Sequence, residues 1–336
     1  MTEQRLISKA SLAKLFDLIK SKGTFVYGPK NHNNRVDYLP LNAFEELTED
    51  FIQTTQSAKA VAFPRTEKLF SYKKEFQKVD VSDFKPESIQ NNILWGVRPC
   101  DAAGFIPLSS IFNWDIQDIM FNTRLSKTTI ITYSCIKADD ACFCTSVGGN
   151  PGNTAGSDIQ LTPIGDNNYL AEILTPKGQA IVDLAPDLFN VSQTIDKQKY
   201  LANVPVQFNR EELTKKLSTI FESEVWKAQS MRCLGCGACA FVCPTCACFD
   251  IQDQKHGSKG TRVRNWDSCG FSMFTMHTSG HNPREVQNQR WRQRLMHKFS
   301  YMPDRLNVTG CTGCGRCSRA CPVDMNILEH IISIES

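Results

Sequence analysis

Two short cysteine motifs constrain this chain more than any other feature. The first reads CLGCGACAFVCP and places Cys233, Cys236, Cys239 and Cys243 ahead of Pro244. The second reads CTGCGRCSRACP and places Cys311, Cys314, Cys317 and Cys321 ahead of Pro322. Both follow Cys-x2-Cys-x2-Cys-x3-Cys-Pro, the thiolate spacing that holds a 4Fe–4S cubane. Two-residue gaps let three thiolates wrap three corners of one cube. The small residues between them, Gly235, Gly237, Ala238, Gly313 and Gly315, let the backbone approach inorganic sulfide and adopt positive φ. Zinc sites use two separated cysteine pairs instead, so the spacing speaks against a zinc-binding module.

Where two such motifs share a chain, the fourth cysteine of each serves the other cluster. The expected ligand sets are therefore Cys233, Cys236, Cys239 and Cys321 for one cluster, and Cys311, Cys314, Cys317 and Cys243 for the other. Crossed ligation makes the motifs one cooperative unit despite a long insertion, residues 247–308, between them.

The chain has 15 cysteines, so seven lie outside the motifs. In a reducing compartment, clustered cysteines are metal ligands more often than disulfides, and an odd number leaves one unpaired. Cys100, Cys135, Cys142 and Cys144 form a set of four. Cys100 follows the apolar run ILWGV and Cys135 follows IITY. Both then emerge at strand ends, where loops converge to build sites. A third iron–sulfur cluster on these four thiols is one expectation; buried structural cysteines are the other. Cys246, Cys248 and Cys269 fall one short of a tetrathiolate set. His281 is a candidate fourth donor, but a lone loop histidine reads more simply as a hydrogen-bonding residue.

The rest of the chain reads as α+β: an N-terminal mixed α/β domain (1–225) followed by a ferredoxin-like two-cluster domain (226–336) carrying the insertion. The boundary falls near 221–230, after a helix that begins around Arg210. Near the N-terminus, Leu12, Leu15, Phe16 and Ile19 fall at helical spacing and Gly23 marks the stop. Ala58–Phe63, Ile93–Val97 and Thr128–Tyr133 read as buried strands. Residues 159–164 and 169–174 flank Gly165-Asp166-Asn167-Asn168, a hairpin signal. The Gly/Asn/Ser-rich segment 142–158 reads as a loop; it lacks the Lys-Ser/Thr pair of a phosphate cradle. Arg284–Lys298 reads as a basic helix, with Arg290, Arg292 and Arg294 on a solvated face or offsetting cluster charge. Trp226, Trp266 and Trp291 read as core anchors.

The net charge of +3 gives no reason to expect nucleic acid as a partner. No apolar run is long enough to span a bilayer, and the N-terminus lacks an apolar h-region, so no membrane insertion and a cytoplasmic location are expected. No G-x-G-x-x-G fingerprint follows a strand and no catalytic constellation is legible. The expectation is thus electron-carrier chemistry with no substrate catalysis by this chain alone.

Longer stretches narrow the reading. CPTCACFDIQD, RNWDSCGF, SGHNPRE, RWRQRLMHKF and GCTGCGRCSRACPVDMNI, with FPRTEKLFSYK, LWGVRPCDAAGF and SCIKADDACFCTS in the N-terminal half, resemble the iron–sulfur beta subunit of sulfhydrogenase-type cytoplasmic nickel–iron hydrogenases. They are equally similar to the corresponding iron–sulfur subunit of anaerobic sulfite reductase. The resemblance implies an electron relay between a catalytic subunit, either a NiFe hydrogenase or a sirohaem reductase, and a flavin- and NAD(P)-binding subunit. It carries over the eight motif cysteines as 4Fe–4S ligands. It also covers the other seven without saying which of them bind a cluster. The loop VGGNPGNTAGSD departs from the family pattern. A self-contained flavin-dependent iron–sulfur oxidoreductase, with its pocket at the loops after Val97 and Tyr133, is the alternative.

Overall fold

The computed structural model describes residues 3–191 and 194–335. Strand β1 (Glu3–Ser8) leads into helix α1 (Lys9–Ser21), and the Ser8 hydroxyl caps the helix by accepting from the Ser11 amide. The helix buries Leu12, Leu15, Phe16 and Ile19, as their spacing predicts, and ends ahead of Gly23 at φ +75°. Strands β2 (Phe25–His32) and β3 (Arg35–Pro40) follow as a hairpin, then β4 (Thr66–Glu75) and β5 (Lys78–Asp83) as another.

Next come β6 (Asn92–Val97), α2 (Pro99–Phe112), α3 (Ile119–Ser126) and β7 (Thr128–Tyr133). Strands β8 (Ile159–Gly165) and β9 (Asn168–Ile173) pair antiparallel, turning on Asp166 and Asn167 at positive φ. Helix α4 (Pro176–Val182) and the short β10 (Asn190–Val191) complete this part.

The main sheet has eight strands in the order β10-β1-β9-β8-β7-β6-β2-β3. Its centre is parallel, β2 with β6, β6 with β7 and β7 with β8. Parallel strands are covered on both faces, and β6 shows why its run is apolar throughout. Ile93 and Trp95 pack with α1 and Phe44, while Leu94 and Val97 pack with Ala102, Phe105 and Leu108 of α2. Because β6 and β7 run the same way, the chain leaves both at one edge of the sheet. In sheets of this kind that edge is where sites are built.

Helices α5 (Arg210–Thr219), α6 (Val225–Ser230) and α7 (Ala238–Phe241) precede the insertion. The insertion starts with the hairpin β11 (Phe249–His256) and β12 (Lys259–Trp266) and ends with α8 (Gln287–Met296) and α9 (Met302–Leu306), joined by a π-helical turn at His297–Tyr301. Helices α10 (Arg316–Arg319) and α11 (Ile327–Glu335) close the chain. A second, four-stranded sheet, β11-β12-β4-β5, takes two strands from each side of residue 225. Trp226 and Trp291 are buried with Leu295, Phe299 and Ile331, and Trp266 is buried against Phe63, all three as core anchors.

Two expectations are corrected. Ala58–Phe63 is not a strand: Ala58–Val61 forms a single 3-10 turn. A short apolar run cannot by itself distinguish a buried strand from a buried turn, and here the Lys59 ammonium directs the segment. It donates to Ala240 O at 3.1 Å and Cys246 O at 2.9 Å. The basic segment is helical over Gln287–Met296, but its face is not fully solvated: Arg294 and Lys298 are 3% and 4% exposed.

The second sheet is fastened to α3 by buried charge. The Glu67 carboxylate, with a side chain fully shielded from solvent, accepts from both Arg264 and Arg124, and Arg264 also pairs with Asp118. Removing one member of such a network leaves an uncompensated buried charge, which costs about 3–5 kcal/mol. Glu67→Ala is therefore expected to lower the stability measured by chemical denaturation by that much. Asp253→Ala, which opens the exposed Arg262 pair, is expected to leave that stability nearly unchanged in the same measurement.

Candidate metal centre

Each cysteine motif is shaped by a left-handed glycine. Gly237 (φ +73°) begins α7 and Gly315 (φ +68°) begins α10, and these one-turn helices present Cys239 and Cys317. At the second motif a side chain has no room. A Cβ on Gly315 would lie 2.3 Å from Ala141 O, and one on Gly313 would lie 2.5 Å from Cys144 Cα. The Phe143 amide also donates to Gly313 O at 2.9 Å. The second motif thus lies directly on the segment carrying Cys142 and Cys144.

Cys233, Cys236 and Cys239 line a cavity of about 40 Å³ together with Cys321, which arrives from the other motif; Cys269 and Cys317 also reach it. Gln287 Nε2 donates to Cys233 Sγ at 2.9 Å, and the Met325 amide donates to Cys321 Sγ at 3.2 Å. Burial pushes the Cys239 thiol up to about 11, with Arg294 opposing. Cys236 is the one exposed cysteine of the chain. Its neighbours Met231 and Leu234 are exposed as well.

Cys243 is buried and turned toward the second motif. Burial pushes the Cys311 thiol up to about 12 and the Cys314 thiol up to about 11. Lys298 opposes the first shift and Arg316 the second, while Cys243 and Cys317 add to both. Lys298 Nζ donates to Cys243 Sγ at 3.4 Å and to Gly310 O at 2.7 Å. The Gly313 amide donates to Cys311 Sγ at 3.4 Å. Thr245 Oγ1 donates to Gly310 O at 2.7 Å, tying the end of one motif to the start of the other.

Cys100, Cys135, Cys142 and Cys144 all line one further cavity, of about 30 Å³, with Cys314 of the second motif also at its wall. Cys100 sits in the first turn of α2, just past β6, and Cys135 follows β7. Cys142 and Cys144 come from the loop that the second motif rests on. Burial pushes Cys135 up to about 11 and Cys144 up to about 12, and Cys142 adds to both. Gln53 Nε2 donates to Cys100 Sγ at 2.7 Å and Arg319 Nη2 to Cys142 Sγ at 3.3 Å.

The last three cysteines form no ring of this kind. Cys248 and Cys269 share a thiol–thiol hydrogen bond, and Cys246 shares one with Cys243. His281 is exposed and meets the ring of His277.

Between the second and third thiol sets runs a buried ion pair that sequence reasoning missed. Arg316 follows Gly315 and donates to both carboxylate oxygens of Asp101, the residue after Cys100. It also donates to Thr54 O and Thr54 Oγ1, and Tyr38 Oη donates to Asp101 Oδ2 at 2.8 Å. Arg316 is 2% exposed. Its motif neighbours, Gly315 and Cys317, drew all the attention in the sequence; only its place between two cysteine ligand positions could have marked it.

The donor sets fit iron–sulfur clusters. The thiols ring hollows, several receive N–H or ammonium donors, and thiolate is the form in which cysteine binds iron. A cluster in such a ring supplies one-electron uptake and release. What the chain supplies is ligation, N–H groups on sulfur, exclusion of water and nearby charge.

A model of the 4Fe–4S dicluster domain matches residues 232–325. That segment, which holds all eight motif cysteines, is therefore of the 4Fe–4S dicluster type. The chain is 29% identical over 326 residues, 95% of this chain and 93% of the other, to the sulfhydrogenase 2 subunit beta of Pyrococcus furiosus. The likeness to that beta subunit therefore runs along nearly the whole chain, well beyond the dicluster segment. No solved structure matches it. Among the described residues no helix is long and apolar enough to cross a membrane.

Gly315→Ala tests the seat of the second motif. The substitution places a methyl against Ala141 O and adds left-handed strain of roughly 1–2 kcal/mol. Lower iron content and a lower thermal midpoint are expected. Gly257→Ala is also at positive φ but meets no atom within 4 Å, so it should carry the strain alone and keep its iron.

Proposed function

We propose that this chain relays electrons through three 4Fe–4S clusters inside a multi-subunit oxidoreductase. Cys233, Cys236, Cys239 and Cys321 hold the first, Cys243, Cys311, Cys314 and Cys317 the second, and Cys100, Cys135, Cys142 and Cys144 the third. The observation that carries this reading is the convergence of Cys100, Cys135, Cys142 and Cys144. They come from two strand ends and a loop, and they line one cavity whose wall also includes Cys314. Three sets in such close sequence of contact favour a wire over isolated structural sites.

Exposure gives the wire an outer end. Cys236 is open to solvent, whereas Cys243 and Cys314 are buried, so the first cluster is the point where a partner reaches the chain. The two-domain division, 1–225 and 226–336, then acquires a purpose: the N-terminal part carries the third cluster and the C-terminal part the other two. The relative's name speaks for a hydrogenase assembly. The partners proposed are a NiFe catalytic subunit together with a flavin- and NAD(P)-binding subunit.

Iron analysis of anaerobically purified chain is expected to give about twelve iron atoms, four per cluster. Replacing both Cys142 and Cys144 by Ser should leave about eight and preserve the signals of the other two clusters. Eight in both proteins would remove the third cluster. Cys243→Ser should deplete the cluster held mainly by Cys311, Cys314 and Cys317. Flavin and nickel in the co-purified assembly would support the partners. Sirohaem in their place would point to a sulfite-reducing assembly, and flavin bound to the isolated chain would favour a self-contained enzyme.

A further inference from the structure

Three cations lie buried among the motif cysteines with no carboxylate among the described residues paired to them. Lys59, Arg294 and Lys298 are 3%, 3% and 4% exposed. Their polar contacts are carbonyls, a hydroxyl and thiols. Lys59 Nζ donates to Ala240 O and Cys246 O, and it lies 4.0 Å above the Trp266 ring. Arg294 donates to Cys239 O at 3.0 Å and approaches Cys246 Sγ at 3.6 Å. Lys298 donates to Cys243 Sγ, Thr245 Oγ1 and Gly310 O. None of the three forms an ion pair among the described residues, in contrast to Arg264 and Arg316, which are equally buried and do. Arg294 Nε has no hydrogen-bond partner among the described residues.

Burying an unpaired cation is costly, and buried charges are retained where a counter-charge exists. Among the described residues near these three cations, the groups able to supply negative charge are the cysteines. A thiolate-bound cluster is negative and becomes more so on reduction, so a fixed cation beside it favours the reduced form and raises the potential.

We propose that Lys298 and Arg294 set the potentials of the two motif clusters, Lys298 acting on the one bound by Cys243 and Arg294 on the one bound by Cys239, with Lys59 completing the charge balance. These are positioning charges, not electron carriers. The proposal rests on the reading that the motif cysteines hold clusters, and it adds which protein groups tune them. Lys298 acts chiefly through its ammonium on Cys243 Sγ. Arg294 lines the first cavity and donates to the carbonyl of Cys239 beside it.

The test is a redox titration followed by EPR on the full chain, with iron content measured on the same samples. In Lys298→Met the second cluster should become harder to reduce. At the wild-type midpoint its reduced-to-oxidised ratio should fall about tenfold, which is about 59 mV for a one-electron couple. Lys298→Arg should keep the wild-type midpoint, because the charge remains. Arg294→Gln should shift the first cluster more than the second. An unchanged midpoint in Lys298→Met with full iron content would overturn the proposal and leave the cluster reading intact. Absence of iron from the wild-type chain would overturn the cluster reading itself, and with it the proposal. If Lys298→Met fails to retain iron, Lys298→Arg and Arg294→Gln decide. Recovery of iron in the first together with a fall in the second's potential supports charge compensation. Loss of iron in Lys298→Arg, or no shift in Arg294→Gln, contradicts it.

Discussion

The buried pair between Arg316 and Asp101 holds the two halves of this molecule in one arrangement. Arg316 belongs to the second cysteine motif, and Asp101 to the first turn of the helix that follows a central strand of the main sheet. Buried pairs of this kind are weak evidence for net stability but strongly penalise any other register, because separating them strands two charges in a dry interior. Around that pair the other contacts fall into place. Gly313 and Gly315 press on the backbone of residues 141–144, and Gly104 of the same helix meets Pro244 at the end of the first motif. A small shift of the cysteine-rich part would break all of these at once.

That arrangement gives the main sheet its role. A parallel centre delivers neighbouring strands to one edge with the same polarity. Cys100 and Cys135 are carried there by rigid elements, and the second motif closes over them. The smaller sheet does the corresponding work for the insertion, tying β11 and β12 to β4 and β5 through the Glu67 network. The insertion also supplies α8, whose Arg294 and Lys298-bearing continuation faces the thiols. It is the insertion that brings both of these buried charges to the thiols.

Much of this was legible in the sequence because its signals are local. Cysteine spacing, the 3.6-residue repeat of α1 and the Asp166-Asn167 turn each specify geometry within a few residues. The convergence of Cys100, Cys135, Cys142 and Cys144 was open to inference as well, since strand ends gather at one edge. Most of the misses share one cause. Ala58–Phe63 looks like a strand until Lys59 finds the carbonyls of Ala240 and Cys246, far along the chain. The β2–β3 hairpin hides behind Gly28 and Pro29, which break its alternation. The inward turn of Arg294 and Lys298 contradicts the rule that long cations face water, and only the cysteines opposite explain it. Arg316 offers no local sign of its partner. Most of these depend on a group distant in sequence, which no periodicity encodes.

The central claim is that the cysteines of both halves hold clusters that form a single electron path. EPR of the anaerobically purified chain, reduced stepwise from fully oxidised to fully reduced, tests it most directly. Neighbouring paramagnetic clusters broaden and split one another's signals, so the spectrum of the fully reduced chain is expected to be a broad interaction spectrum that is not the sum of the partly reduced ones. Signals that simply add as reduction proceeds, or no cluster signal on reduction, would contradict the account.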